Sequence, residues 1–128
     1  MKTKSFVFAA LVLLLSALTT ASATAATVEL ACKSEYNSEF HIVIDFGAST
    51  VTRTSVYNGE TYSQTHDATI TDQKVEWMFT DDRRAEITNS LSRDTGNMWT
   101  HTRATTETQN GVLDGTTHAT CGKADKVF

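Results

Sequence analysis

The sequence contains no proline and only 6 glycines among its 128 residues. Disordered linkers are usually rich in both residue types, so this shortage argues against a disordered chain. Basic residues are also fewer than acidic ones, 11 against 15. Proteins that bind nucleic acids carry clustered Lys and Arg to neutralise phosphates, and an acidic surface is not attracted to anionic lipid. We therefore expect neither a nucleic acid nor a lipid surface as the partner.

The sequence also lacks the motifs that many enzymes carry. It has no Ser-His-Asp order with a nucleophile elbow, no phosphate-binding loop and no pair of candidate catalytic carboxylates. Its histidines are scattered along the chain, at His41, His66, His101 and His118. They lack metal-ligand spacing, so surface histidines are expected, with a metal site assembled across strands as the alternative. We predict no catalytic activity, no cofactor and no metal.

Residues 1–26 have the order of segments found in a secretory signal peptide. Lys2 and Lys4 precede an apolar stretch from Phe6 to Leu18, and small residues follow it. A retained membrane anchor is the alternative, but an anchor needs about 20 apolar residues and this stretch is shorter. The sequence therefore predicts export to the periplasm or secretion. Cleavage is expected after one of three residues, Ala23, Ala25 or Ala26.

Cleavage would leave one domain, residues 27–128. About 100 residues suffice for a single hydrophobic core. The loss of Lys2 and Lys4 removes two positive charges, so the formal net charge changes from −4 to −6. Such acidity suits a basic protein partner, although the need for solubility explains an acidic surface equally well.

The two cysteines, Cys32 and Cys121, lie near the two ends of the predicted mature chain. In an exported protein such a pair is most simply a disulfide. The alternative, a redox or metal pair, normally has CxxC spacing, which is missing here. We therefore predict a disulfide that closes most of the domain and places the first and last strands side by side.

Short stretches of alternating apolar and polar residues run through the mature chain. One of them places Phe40, Ile42 and Ile44 on the same face, and residues 75–79 repeat the pattern. This period of two predicts roughly seven or eight strands joined by short turns. The expected all-β fold is a small antiparallel up-and-down β-barrel of lipocalin-like type, or a two-sheet sandwich. The predicted disulfide favours the barrel.

Two turn signals separate the strands. Asn58-Gly59 is the strongest short hairpin signal and predicts a type I′ turn. In the stretch LSRDTGNMW, we expect Gly96 to supply the left-handed residue of a short loop, Asp94 to cap it and Arg93 to pair across it. Aspartic proteases also carry an Asp-Thr-Gly triplet, but they need two such carboxylates. A turn explains the single triplet.

One predicted strand carries Trp99, His101 and Arg103 on the same face, at a spacing of two. An aromatic ring, an imidazole and a guanidinium together can line a polar pocket for a small ligand. A solvated strand face gives the same pattern. For Trp77 and Trp99 the further alternative is a place in the core, with the indole N–H partnered.

The whole mature chain resembles a group of small exported proteins of Gram-negative bacteria that have a Cys near each end and a strand ending in Arg-x-Thr-Gly. The matching elements here are Cys32, ATITDQKVEW, LSRDTG and Cys121. The resemblance implies a small β-barrel in the periplasm and implies no activity.

The segment NGETY, residues 58–62, is similar to the Ser-Gly-x-x-Tyr motif of the periplasmic inhibitors of c-type lysozyme. Those inhibitors are small disulfide-bonded barrels that insert a loop into the lysozyme cleft, so the resemblance implies a binding role for Gly59 and Tyr62. Asn58 stands in the position of the Ser, and the family's second motif, with Tyr and Thr-Lys-Gly, has no match. An ordinary type I′ hairpin also accounts for Asn58-Gly59.

The expected function is that of a non-catalytic binding protein of the bacterial envelope. It would bind another envelope or secreted protein, such as a basic lysozyme, through hairpin loops at residues 57–62 and 80–84. One alternative is a small-ligand carrier that uses the barrel interior, and another is a structural envelope protein without a ligand. No stable membrane anchor is expected.

Overall fold

The computed structural model describes residues 26–109 and 111–123, and these residues form nine β-strands and no helix. The strands are β1 (Thr27–Ser34), β2 (Glu39–Asp45), β3 (Thr50–Tyr57), β4 (Glu60–Asp67), β5 (Thr69–Ile70), β6 (Lys74–Thr80), β7 (Glu86–Ser92), β8 (Asn97–Arg103) and β9 (Gly115–Lys123). The predicted signal peptide lies outside the described residues, except for Ala26. The all-β fold class is confirmed.

The strands form one antiparallel sheet that curls into a nearly closed barrel. Its order is β4-β3-β2-β1-β9-β8-β7-β6-β5. Neighbours in the sheet are therefore consecutive in the chain, except where β1 pairs with β9. This is the up-and-down barrel, the first of the two predicted architectures.

The strand count exceeds the predicted seven or eight because β5 is separate from β4. The sequence pattern favours one continuous run from Glu60 to Thr71. Instead, Ala68 donates its N–H to the Ser49 carbonyl oxygen at 2.9 Å, and the next two residues pair with β6. A strand of two residues is too short for a period-two pattern to reveal it.

A disulfide joins Cys32 in β1 to Cys121 in β9, as predicted, with an S–S distance of 2.02 Å. The two residues are direct partners in the antiparallel register, and their Cα atoms are 4.0 Å apart. Both cysteines are buried. A buried disulfide is consistent with an oxidising compartment outside the cytoplasm.

The inward-facing positions of the strands fill the barrel with apolar side chains. Ile42, Val51 and Val75 have no exposed surface, and Trp77 is also buried. The core cluster consists of Leu30, Cys32, Phe40, Ile42, Ile44, Val51, Val75, Trp77, Leu91, Met98 and Cys121. Barrels of about eight strands usually have an interior just wide enough for side chains. The centre of this barrel is accordingly packed.

A seam runs between β4 and β6, the strands that meet where the sheet curls round. Across the seam the His66 ring stacks on the Phe79 ring, with centroids 4.2 Å apart and planes inclined by 6°. The disulfide lies between β1 and β9, at the middle of the sheet order. The covalent bridge and the seam are therefore on opposite sides of the barrel.

Because successive strands run in opposite directions, the connecting loops lie at the two ends of the barrel. One end, here called the hairpin end, carries the β1–β2, β3–β4, β6–β7 and β8–β9 connections. The opposite end carries the β2–β3, β4–β6 and β7–β8 connections. Residues 57–62 and 80–84, the two loops predicted to bind a partner, therefore lie at the same end of the molecule.

Candidate binding site

The β7–β8 turn has the left-handed glycine predicted for it, with a φ of 78° at Gly96. The capping groups differ from the prediction, which gave this role to Asp94. Ser92 Oγ accepts the N–H of Thr95 at 3.3 Å. Thr95 Oγ1 in turn accepts the N–H of Asn97 at 3.1 Å. Hydroxyl groups make such bonds because they reach backbone N–H groups two or three residues further along the chain.

Arg93 reaches a neighbouring turn, and it does not pair across its own turn as predicted. Its Nη1 donates to the Thr71 carbonyl oxygen at 2.7 Å, and its Cζ lies 4.9 Å from the centroid of the Phe46 ring. Its backbone N–H donates to the Gln73 carbonyl oxygen at 2.8 Å. Arg93 thus ties the β7–β8 turn to the β5–β6 connection.

The tip of the β3–β4 hairpin projects beyond the barrel wall. β2 pairs with β3 only as far as Thr54, whereas β3 and β4 remain paired to Tyr57 and Glu60. Residues 55–62, here called the ribbon, therefore extend past the end of the neighbouring ladder. Asn58 and Gly59 at the tip have φ values of 52° and 80°. Two positive φ values are typical of the type I′ turn that the Asn-Gly signal predicts.

Three large side chains of the ribbon are exposed, Val56 to 66%, Tyr57 to 68% and Tyr62 to 50%. In the register Tyr57 lies opposite Glu60, so Tyr57 and Tyr62 are diagonal neighbours on one face. The Tyr62 hydroxyl donates to Glu60 Oε2 at 2.8 Å. The sequence singled out Tyr62, included Tyr57 in the predicted loop 57–62 without giving it a role of its own, and missed Val56. The register of a type I′ hairpin centred on Asn58-Gly59 would have placed Tyr57 beside Tyr62.

The hydrogen bond from Tyr62 to Glu60 raises the pKa of the phenol, because the carboxylate stabilises the protonated form and opposes the phenolate; desolvation adds to the shift. We expect Glu60→Gln to lower the pKa of Tyr62 toward its ordinary value of about 10. Phenolate absorbance during alkaline titration measures this change, and Tyr62→Phe identifies which transition belongs to Tyr62. An unchanged Tyr62 transition in Glu60→Gln would contradict the pairing.

The outer face of β8 carries Trp99, His101 and Arg103, which share one face as their spacing indicates. Trp99 is 38% exposed, so this face points to solvent and away from the barrel interior. His101 Nδ1 lies 2.9 Å from Thr116 Oγ1 in β9, and Arg103 Nε lies 3.5 Å from Glu86 Oε1 in β7. His101 and Arg103 each contact a side chain of a neighbouring strand, which is the arrangement expected of a solvated strand face.

Charged groups of the β6–β7 loop interact with other groups of the same loop. Asp81 Oδ1 accepts the N–H groups of Arg83 and Ala85, both at 2.9 Å, and Asp81 Oδ2 lies 3.7 Å from Arg83 Nη2. Exposed ion pairs of this kind contribute little free energy. Of the two predicted binding loops, the ribbon is therefore the one that exposes large side chains, with Tyr57 and Tyr62 on one face and Val56 on the other.

In residues 26–109 and 111–123, no group of three or more His, Cys, Asp or Glu side chains could hold a metal ion. His66 instead stacks on Phe79 at the seam. His41 Nδ1 lies 3.6 Å from Glu29 Oε1 on the exposed surface. The histidines of these two positions thus have protein partners of their own.

The chain matches no protein-family model, no curated protein and no solved structure. Within the part of the chain that the structure describes, no helix has the length and apolar character needed to cross a membrane. The ribbon is the candidate site because of its geometry and its exposed side chains.

Proposed function

We propose that this protein is a non-catalytic binding protein of the bacterial envelope, periplasmic or secreted, that recognises a protein partner through the ribbon. The observation that carries the proposal is the exposure of Val56, Tyr57 and Tyr62 on a projecting hairpin. Tyr is enriched at protein interfaces because its ring combines apolar area with a polar tip and few rotatable bonds. Exposed apolar patches commonly mark such interfaces.

The ribbon grows out of a hairpin that is ordered by its own contacts. The hydroxyls of Thr52 and Thr65 are 2.8 Å apart, and so are those of Thr54 and Ser63. These cross-strand pairs and the type I′ turn order the backbone that carries the two tyrosines before a partner binds. Binding then costs less conformational entropy than it would for a flexible loop that becomes ordered only in the complex. In this proposal Gly59 sets the turn, and Tyr62 makes contact.

Charge favours a basic partner for the hairpin end. In or beside its loops, eight acidic side chains outnumber three basic ones, Arg83, Arg84 and Arg103. The acidic ones are Glu35, Glu39, Glu60, Asp81, Asp82, Glu86, Glu107 and Asp114. Complementary charge accelerates association and selects among partners. The similarity of residues 58–62 to the lysozyme-inhibitor motif supports a basic partner, because the inhibitors of that family insert a loop into the cleft of a lysozyme.

Two features support export. Residues 1–26 have the charged, apolar and small-residue order of a signal peptide. The Cys32–Cys121 disulfide would persist in the periplasm or outside the cell, whereas cytoplasmic thiols are kept reduced. The proposed partner is accordingly another envelope or secreted protein.

A c-type lysozyme is the first probe of this proposal. We expect it to bind the immobilised protein, and Tyr62→Ala to weaken binding by about 30-fold, the effect of losing about 2 kcal/mol at an interface hot spot. Biolayer interferometry measures both affinities. The matched control is Trp99→Ala, an exposed aromatic on the outer face of β8, which should bind as the unmodified protein does. Equal losses in the two variants would count against the ribbon.

A photo-crosslinking amino acid tests the ribbon for partners other than lysozyme. Placed at Tyr57 in the bacterium that exports the protein, it should give one dominant protein adduct. Placed at Met78, which is 59% exposed on the wall of the barrel, it should give none. Equal adducts from the two positions, or none from either, would contradict a protein-binding role for the ribbon.

A further inference from the structure

A cavity opens at the end of the barrel opposite the hairpin end. Its volume is about 520 Å³, which falls within the range of small-molecule sites. Its floor is apolar and includes Val28, Leu30, Ile44, Phe46 and Leu91. Three of these side chains belong to the buried core cluster, and Val28 and Phe46 pack against it. A molecule in the cavity would therefore rest on hydrocarbon.

The rim of the same cavity is charged, with Arg93, Asp94 and Lys123 among its lining residues. The Arg93 guanidinium lies over the Phe46 ring at the edge of the apolar floor. One of its N–H groups is bound to the Thr71 carbonyl oxygen. A guanidinium has five N–H donors, so Arg93 is held in position and retains donors for a ligand. Two cations against one carboxylate give this rim a positive balance.

The wall of the cavity is formed in advance of any ligand. The Gly96 N–H donates to the Ser92 carbonyl oxygen at 3.0 Å, and the Gly96 carbonyl oxygen accepts the Cys121 N–H at 2.8 Å. Cys121 is in turn fixed to Cys32 by the disulfide. A site held by such bonds pays little reorganisation free energy when it binds.

We propose that this cavity binds a single-chain amphiphilic carboxylate, with the alkyl chain on the apolar floor and the carboxylate hydrogen-bonded to Arg93. A planar guanidinium matches a carboxylate through two parallel hydrogen bonds, so the pairing fixes orientation as well as charge. The cavity and the ribbon are at opposite ends of the barrel. This inference therefore goes beyond the proposed protein-binding function and does not depend on it.

Calorimetric titration with linear carboxylates from hexanoate to dodecanoate, below their micelle concentrations, tests the apolar half of the site. The dissociation constant should fall about fourfold for each added methylene, until the chain fills the cavity. Decanol, which has the chain without the charge, should bind about tenfold more weakly than decanoate. Affinity that is independent of chain length, or equal binding of decanol and decanoate, would overturn the proposal.

Two rim variants test the charged half, because they should act in opposite directions. Arg93→Gln should weaken decanoate binding about tenfold and leave decanol binding unchanged. Asp94→Asn removes a like charge and should strengthen decanoate binding about twofold. Arg103→Gln, at the hairpin end, is the matched control and should change neither ligand. Parallel losses of decanoate and decanol in Arg93→Gln would show a merely structural role and refute the assignment.

A third pair of variants tests the location. Val28→Trp adds bulk to the floor and should abolish binding of decanoate and decanol, with circular dichroism confirming the fold. Val127 and Phe128 are apolar residues that follow the rim residue Lys123 in the sequence. The double variant Val127→Ser/Phe128→Ser should bind decanoate as the unmodified chain does. If decanoate binds only in that double variant, the cavity serves the chain's own C-terminal segment, and the ligand proposal is wrong. Decanoate binding that survives Val28→Trp unchanged would also refute it.

Discussion

Replacing both cysteines of the β1–β9 bridge by alanine is expected to lower the free energy of unfolding by about 4–5 kcal/mol. The bridge joins residues 89 positions apart in the sequence, so its removal restores the freedom of almost the whole domain in the unfolded state. Domains of this size have a total stability of about 5–15 kcal/mol, and the variant should be close to unfolding at ordinary temperature. Urea denaturation of the oxidised protein and of Cys32→Ala/Cys121→Ala measures the difference.

The chemically reduced protein is the control for this experiment. Alanine also removes two buried sulfur atoms, which adds a packing cost that has nothing to do with the crosslink. The reduced protein keeps both sulfurs, so it isolates the effect of the crosslink and should show most of the loss. Identical unfolding midpoints for the reduced and oxidised proteins would mean that the bridge contributes no stability.

Gly96→Ala should destabilise the protein by about 2–5 kcal/mol, combining a left-handed backbone penalty with steric overlap. A Cβ atom at this position would lie 2.2 Å from the Cys121 carbonyl oxygen, which belongs to the backbone of β9. That oxygen cannot move without displacing β9 from its neighbours. Thermal and urea unfolding of the variant provide the measurement.

Gly59→Ala is the matched control for the overlap. Gly59 has a φ of 80°, close to the 78° of Gly96, but a Cβ atom added to it would meet nothing within 4 Å beyond its chain neighbours. Its substitution should cost only the left-handed penalty of about 1–2 kcal/mol. Equal losses in the two variants would show that the contact between Gly96 and β9 is loose in solution.

The sequence predicted the fold best where one face of a strand is strongly apolar. Phe40, Ile42 and Ile44 alternate without interruption, and the structure buries all three. The Asn58-Gly59 turn and the Cys32–Cys121 bridge were also predictable, because each depends on residue types with narrow conformational or chemical roles. The alternation and the turn are local signals in the sequence. The bridge was predictable because the sequence has only two cysteines.

Positions set by packing between distant segments could not be read from the sequence. β8 has large apolar side chains on both faces, and a shift of one residue in register would exchange Met98 with Trp99. The alternation alone therefore left the direction of Trp99 open. Arg93 likewise finds its partner, Thr71, 22 residues away across a different turn. The apolar floor beside Arg93 is assembled from β1, β2, β7 and Phe46, which follows β2, so no single stretch of sequence displays it.

The pairing of β1 with β9 sets the order in which the barrel can form. Strands β1–β4 and β6–β9 are two meanders that can assemble from hairpins between chain neighbours. The two half-sheets become one hydrogen-bonded sheet only when Gly115–Lys123 pairs with β1. A chain that is still being made therefore keeps β1 and β8 as unpaired edges. The thiols of Cys32 and Cys121 are buried once the halves have joined. We therefore expect their oxidation before or during this step, while both thiols are still accessible to an oxidant.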